Sequence, residues 1–360
     1  MKLVTHNGKF HTDEVFGAAM LSYLYPNIEI IRTRDMRIIS KAFDDNNTIV
    51  IDVGLIYNPQ KDAYDHHQAS FNTSYYGGRR GINMSSCGLV WKHFSWEIVD
   101  KMLRDCFSTK LIITKEDIED DSDLSEDEEG TEYIKDYPNV DTDKICNCFY
   151  NEVVIHIDAN DNGVKHIKNP ESVQYNYKKT VTIENIIGSY NGNDGDNEKQ
   201  MIQFKQAMKV CEEFLFNRLY SIIKNEIEYG KYLKEFEAAF IERMNDEWIY
   251  IENEKMNYSL YLNNYDPQKN IKFIIVKKKG EYRIHTRRIK GGEFAVVAPI
   301  INEIEARNIV RDKLIFVHRA QFVGACKTLE TSISICDASI KSYWGWMFPL
   351  KEMLKKWGWY

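Results

Sequence analysis

The run Thr48 to Val53 has an unbroken apolar centre, Ile49-Val50-Ile51, and stops on Asp52. Consecutive strand residues face opposite ways, so this strand needs hydrophobic cover on both sides. Strands of that kind belong to parallel sheets packed between helices. The neighbouring sequence supplies the other parts. Leu3-Val4 begins a short strand, and Ile28 to Ile31 is predicted as another. Asp13 to Tyr25 reads as a helix with Thr12 as its N-cap, Asp13 and Glu14 in its first turn, and Val15, Ala18, Ala19 and Leu21 on one face. Ser85 to Phe94 opens a further helix with Leu89, Val90 and Phe94 inward. This alternation predicts an α/β sheet, mainly parallel and flanked by helices, with any site beyond the carboxyl ends of its strands. His6, Asp52 and Asp65-His66-His67 fall at such ends.

At 360 residues the chain is long enough for two domains. The first is read as 1–190, interrupted over 114–144 by an acidic insertion expected to be disordered. Within 116–136 lie twelve acids and one base, which dominate the net charge of −7. The remainder carries 46 basic against 42 acidic residues, a balance that permits a polyanionic partner without demanding one. Order resumes at Ile145, where Phe149, Val153 and Ile157 favour a helix ending near Asp158. Gly188 to Asn197 is a predicted loop. Met201, Phe204, Met208, Cys211, Leu215, Leu219 and Ile222 then mark a long linking helix, 198–240. The second domain, 241–360, reads as α+β. Its strands are placed at Trp248–Ile251, Tyr258–Leu262, Ile271–Val276, Glu281–Thr286 and Leu314–Val317, with a hairpin at Lys279-Gly280 and helices at Glu303–Asn308 and Thr328–Ile340. Seven scattered cysteines suit reduced thiols in an intracellular protein. No transmembrane stretch or membrane association is expected. Met1-Lys2-Leu3-Val4 leads directly into the first histidine motif, so a cleavable presequence is not expected.

Four of the nine histidines lie in two short stretches, Thr5 to Glu14 and Tyr64 to His67, interleaved with carboxylates. A lone histidine at a strand end is usually structural. A cluster of this density points to divalent metal, and the mixed imidazole–carboxylate set suits Mn²⁺ or another first-row ion better than Ca²⁺. His6, His11 and Asp13 can converge on one ion. Asp52 can bridge two. His66 or His67 can reach the second, and Asp158 is the best later carboxylate because a polar cluster follows it. Two ions about 3.5–4 Å apart would hold a hydroxide and clamp a phosphate oxygen. A histidine free of metal could contact the scissile phosphate.

Asp65-His66-His67 resembles the signature of the DHH phosphoesterase superfamily. The wider set is similar to its melanocyte-proliferating-gene (Myg) exonuclease branch. That set comprises Thr5-His6-Asn7-Gly8-Lys9-Phe10-His11-Thr12-Asp13-Glu14, Asp52-Val53-Gly54, Tyr64-Asp65-His66-His67-Gln68 and Ser85-Ser86-Cys87-Gly88. It continues through Ile157-Asp158-Ala159-Asn160-Asp161-Asn162-Gly163, Gly291-Gly292-Glu293-Phe294-Ala295 and Phe316-Val317-His318-Arg319-Ala320-Gln321-Phe322-Val323-Gly324. The resemblance implies a hydrolase acting on RNA from its 3′ end with two Mn²⁺ or Mg²⁺ ions. It implies metal ligands His6, His11, Asp13, Asp52, His66 and Asp158, with Asp52 bridging and His67 facing the phosphate. It leaves cytoplasm, nucleus and mitochondrion open.

Selectivity would come from the second domain. Arg283, His285 and Arg287 alternate along one strand face, and Arg287, Arg288, Gly291, Gly292 and His318 are read as phosphate contacts, with Gly324 in a following loop. Lys277 to Lys279 read as a solvated edge. The aromatic tail, Trp344-Gly345-Trp346 and Trp357 to Tyr360, is read as core packing or a homodimer contact. Two other functions fit the same residues. One is a phosphoesterase for pyrophosphate, cyclic dinucleotides or short oligonucleotides. The other is a non-catalytic RNA-binding scaffold whose acidic insertion docks a protein partner.

Overall fold

Strand β1 (Lys2–Thr5) lies between β2 (Glu29–Arg32) and β3 (Thr48–Ile51), parallel to both. The computed structural model describes residues 1–77, 81–112, 133–136, 138–167, 181–192, 196–289 and 295–356. The chain divides into two units, Met1–Glu226 and Ile227–Tyr360.

In the first unit the sheet order is β2-β1-β3-β5-β4, with β4 (Tyr57–Asn58) antiparallel at the edge beside β5 (Ala63–Tyr64). All four residues of β3 are buried, as a doubly covered strand requires. Val50 faces helix α2 (Met36–Ala42), in a cluster with Val4, Ile39, Ala42 and Val53. Ile51 faces the other way, toward α1 (Thr12–Leu24) and α3 (Ser86–Phe107), where its Cδ1 lies against Gly17. The N-cap of α1 is His11 rather than Thr12, because Glu14 reaches back to accept the His11 backbone N–H at 2.9 Å.

Helix α4 (Thr142–Phe149) passes through a π-helical turn, Tyr150–Val154, into α5 (Ile155–Asp161). Part of the stretch expected to be disordered, 114–144, is ordered. Tyr133–Asp136 pairs antiparallel with Thr109–Ile112 as strands β7 and β6, and Asp141 caps α4 by accepting from Lys144 N at 2.9 Å. Residues 113–132 and 137 lie outside the described residues. Helix α6 (Ile183–Gly188) precedes α7 (Asn197–Ile241), a 45-residue helix that occupies the predicted linking stretch and contains the division between the units.

The second unit is an α+β layer with sheet order β11-β12-β10-β9-β8. Strands β8 (Trp248–Ile251) and β9 (Phe273–Lys278) are parallel, while β10 (Glu281–Thr286), β12 (Val323–Cys326) and β11 (Leu314–Val317) run antiparallel to their neighbours. Phe273 and Ile275 face a core with Ile335, Cys336 and Ile340 of α10 (Leu329–Lys356) and Val310 of α9 (Glu303–Val310). Ile274 and Val276 face a second core with Phe236. Trp344 joins the first core and donates to Glu247 at 2.5 Å.

Two expectations fail here. Tyr258–Tyr265 is helix α8, not a strand, because Tyr258, Tyr261, Leu262 and Tyr265 share the i, i+3, i+4, i+7 spacing of one helical face. Gly324 sits inside β12 rather than in a loop. A side chain there would meet the Phe316 carbonyl at 3.2 Å, so close strand packing accounts for this glycine. All seven cysteines are free thiols. Among the described residues no helix is long and apolar enough to cross a membrane.

Candidate metal centre

The ends of β1, β3 and β5 deliver side chains to one place. His6 follows β1, and its Nε2 lies 2.9 Å from Glu14 Oε1 and 3.2 Å from Asp52 Oδ2. Asp52 follows β3 with φ of 55°, a left-handed turn that aspartate tolerates. Its Oδ1 accepts from Ser86 Oγ at 2.9 Å and lies 3.4 Å from His66 Nε2. His66, after β5, also meets Asp161 Oδ2 at 3.1 Å. Three overlapping groups have ligand atoms within 4.8 Å of one another: His6, His11, Glu14 and Asp52; Asp52, His66 and His67; and His11, Asp13 and Asp161. Asp52 and His11 each belong to two groups.

Electrostatics argue that these groups suit cations. Asp13 is 1% exposed, and neither of its carboxylate oxygens has a hydrogen-bond donor. Burial, then the charges of Asp52, Glu14 and Asp161, push its carboxyl well above the usual range. Asp161 is raised by burial and by Asp52, against the pull of His66. Burial opposes ionisation of both His6 and Asp52. Even so, the hydrogen bonds from His6 and His66 hold Asp52 far below its ordinary value, and those to Asp52 and Glu14 push His6 up to about 10. Four carboxylates, Asp13, Glu14, Asp52 and Asp161, thus crowd one pocket, and a divalent cation would compensate their charge. The donor set, imidazole and carboxylate without thiolate, fits a first-row divalent ion. The His6 ring is aimed by the Asn7 carbonyl, 3.0 Å from Nδ1, which leaves Nε2 as the ligand atom.

His67 is held differently. Its Nδ1 lies 2.7 Å from Asp65 Oδ1, and that hydrogen bond raises its pKa against the effect of partial burial. The ring is half-exposed and lines a cleft of about 330 Å³ beside the metal-binding groups. His67 thus presents an imidazole, held through Nδ1, at the cleft wall.

Asp158 is corrected. It is fully buried, with Oδ1 accepting from Ser85 N (2.9 Å) and Ser85 Oγ (2.8 Å), and Oδ2 accepting from Tyr150 Oη (3.1 Å). It braces the first turn of α3 and belongs to none of the three groups. Asp161, one helical turn on, faces His66 instead.

In the second unit the predicted phosphate contacts differ in their surroundings. Arg287 is corrected: its buried guanidinium donates to Asp266 Oδ2 at 2.7 Å and to the Asp266 and Leu262 carbonyls, so it holds α8 to the sheet. Arg288 and His318 are exposed and both lie near Phe322, at 6.0 Å and 4.5 Å from its ring centroid. Gly291 and Gly292 lie outside the described residues.

A family model named for the MYG1 exonucleases, described as an uncharacterised protein family (UPF0160), matches residues 2–340. The chain belongs to this family. It is 25% identical over 364 residues to the MYG1 protein of Dictyostelium discoideum, covering 92% of this chain and 94% of that one. It is 28% identical over 361 residues to the MYG1 exonuclease of Bos taurus, covering 94% and 84%. A pGpG-specific phosphodiesterase from Vibrio overlays across 95% of this chain and 98% of its own at 12% identity, but a TM-score of 0.28 is too loose to transfer anything.

The sequence reading missed Glu14 and Asp161 in this family member. Glu14 was absorbed by its place in the first turn of α1, where it also caps the helix. Asp161 stood behind Asp158 in the same polar cluster. The available signal was a second carboxylate at i+3, once the first is committed to a helix N-terminus.

Proposed function

We propose that this chain is a divalent-metal-dependent phosphodiesterase, and specifically a 3′-to-5′ exonuclease acting on RNA. The observation that carries this reading is Asp13, a buried carboxylate without a donor, set among three overlapping ligand groups that share Asp52 and His11. Family membership and the exonuclease name of the bovine relative support it. His6, His11, Asp13, Glu14, Asp52, His66 and Asp161 would hold two ions, Mn²⁺ or Mg²⁺. Such ions supply positive charge to the phosphate oxygens and bring a water's pKa toward neutrality. Ser86 fixes Asp52, the Asn7 carbonyl fixes His6, and Asp65 fixes His67. His67, held by Asp65, would contact the phosphate or the leaving oxygen.

A second reading is a phosphoesterase for dinucleotides or pyrophosphate. It is favoured by Arg287 and Gly324, which serve the fold rather than a nucleic acid. The test incubates purified protein and Mn²⁺ with end-labelled RNA, pyrophosphate and a dinucleotide. Stepwise shortening of RNA from its 3′ end is expected, and Asp52→Asn should lower the rate by about 10²-fold or more. Phosphate released from pyrophosphate with RNA left intact would overturn the exonuclease reading.

A further inference from the structure

We infer that the cleft beside the metal-binding groups is a subsite for a single terminal nucleotide, with Arg34 taking its phosphate and an apolar wall of Met36 and Leu55 taking its base. This deepens the phosphodiesterase reading and rests on it for the phosphate chemistry. The cleft, about 330 Å³, is near the lower end for small-ligand pockets. His6, His11, Asp52 and His67 line it together with Arg34, Met36 and Leu55.

Arg34 is exposed. Its Nε donates to the Asn7 carbonyl at 3.2 Å, and its Nη2 lies 3.0 Å from His6 Nδ1. The bond to the Asn7 carbonyl tethers the guanidinium through Nε, and Nη1 remains to donate to an anion. The group therefore stands beside a metal ligand with positive charge facing the cleft.

Leu55 is the less ordinary residue. It is 63% exposed, yet it sits at φ 59°, and the same turn holds Asp52 at 55° and Gly54 at 100°. A left-handed leucine costs about 1–2 kcal/mol. Core packing does not explain a strained side chain that faces water, and such strain concentrates at ligand sites. The conformation is held by Asp65, whose Oδ2 accepts the Leu55 N–H at 2.6 Å while its Oδ1 holds His67 at 2.7 Å. One carboxylate thus positions both His67 and the apolar wall. Met36, 54% exposed at the start of α2, extends that wall. Cation and wall in one mononucleotide-sized cleft match a phosphate joined to a flat apolar base.

The test titrates adenosine 5′-monophosphate and ribose 5-phosphate into the full chain with Mn²⁺, following binding by calorimetry. Wild-type protein should bind the nucleotide about tenfold tighter than the sugar phosphate. Leu55→Gly, which relieves the backbone strain, should erase that difference and leave ribose 5-phosphate binding unchanged. Arg34→Ala should weaken both ligands by about tenfold. Equal affinities in wild-type protein, or a preference that survives Leu55→Gly, would overturn the inference. The RNA assay separates it from the broader reading. Hydrolysis without the binding pattern removes only the subsite; the pattern without hydrolysis removes the phosphodiesterase and leaves a nucleotide site.

Discussion

At the scale of single residues, Asp13 concentrates the evidence for metal. Its carboxylate is buried beside three others and lacks a donor, so without a cation it weakens the fold it sits in. Asp13→Asn should therefore raise the melting temperature in EDTA by about 2–4 °C per kcal/mol of relieved repulsion. With Mn²⁺ the order should reverse, because the variant binds the ion about tenfold or more weakly. Thermal melts with and without Mn²⁺ test both signs, and a variant less stable in EDTA would mean that Asp13 is satisfied in some other way. Of the residues legible in the sequence, His6, Asp52 and His66 each stand where an apolar strand ends, and His11 and Asp13 follow as a His-x-Asp pair close behind His6. Glu14 and Asp161 stand inside helices, where a carboxylate already has a local explanation, and only the fold shows that the helices face the same pocket.

At the scale of elements, the reach of periodicity decided what could be read. The buried strand β3 and the hairpin of β9 and β10 declare themselves in a few residues. Strand β12 is short, contains Gly324, and gains its meaning from partners on both sides, so it was invisible locally. Asp158 shows the same dependence. Read as a ligand, it is instead a brace between α5 and α3, and a Cβ at Gly88 would lie 2.5 Å from both its oxygens, so the motif glycine is the room it needs. Burial outweighs the bonds from Ser85 and Tyr150 and lifts its pKa from 3.8 to about 7. A carboxyl raised on folding contributes stability that is present below the unfolded pKa and lost as pH rises through the folded one. Wild-type protein should thus lose stability relative to Asp158→Asn between about pH 4 and pH 7, by on the order of 2–4 kcal/mol. Urea unfolding of both at pH 5 and pH 8 measures this, and parallel profiles would show that the Asp158 pKa does not move on folding.

At the scale of the whole molecule, two units with separate sheets and separate cores share one helix, α7, while among the described residues every candidate metal-binding group lies in the first unit. Anything that binds the folded state alone stabilises what it touches, by an amount set by its concentration over its dissociation constant. Mn²⁺ bound where β1, β3 and β5 end should therefore slow amide exchange in those strands and in α1, whose first turn supplies Asp13 and Glu14. Strands β8 to β12 have no ligand and should exchange at unchanged rates, because their openings can proceed without releasing the ion. Hydrogen-exchange mass spectrometry with and without Mn²⁺ resolves the two regions by peptide. Protection rising equally in both units would mean that they open as one cooperative body through α7. Protection rising only in the second would place the ion away from His6 and Asp52 and remove the basis for the proposed chemistry.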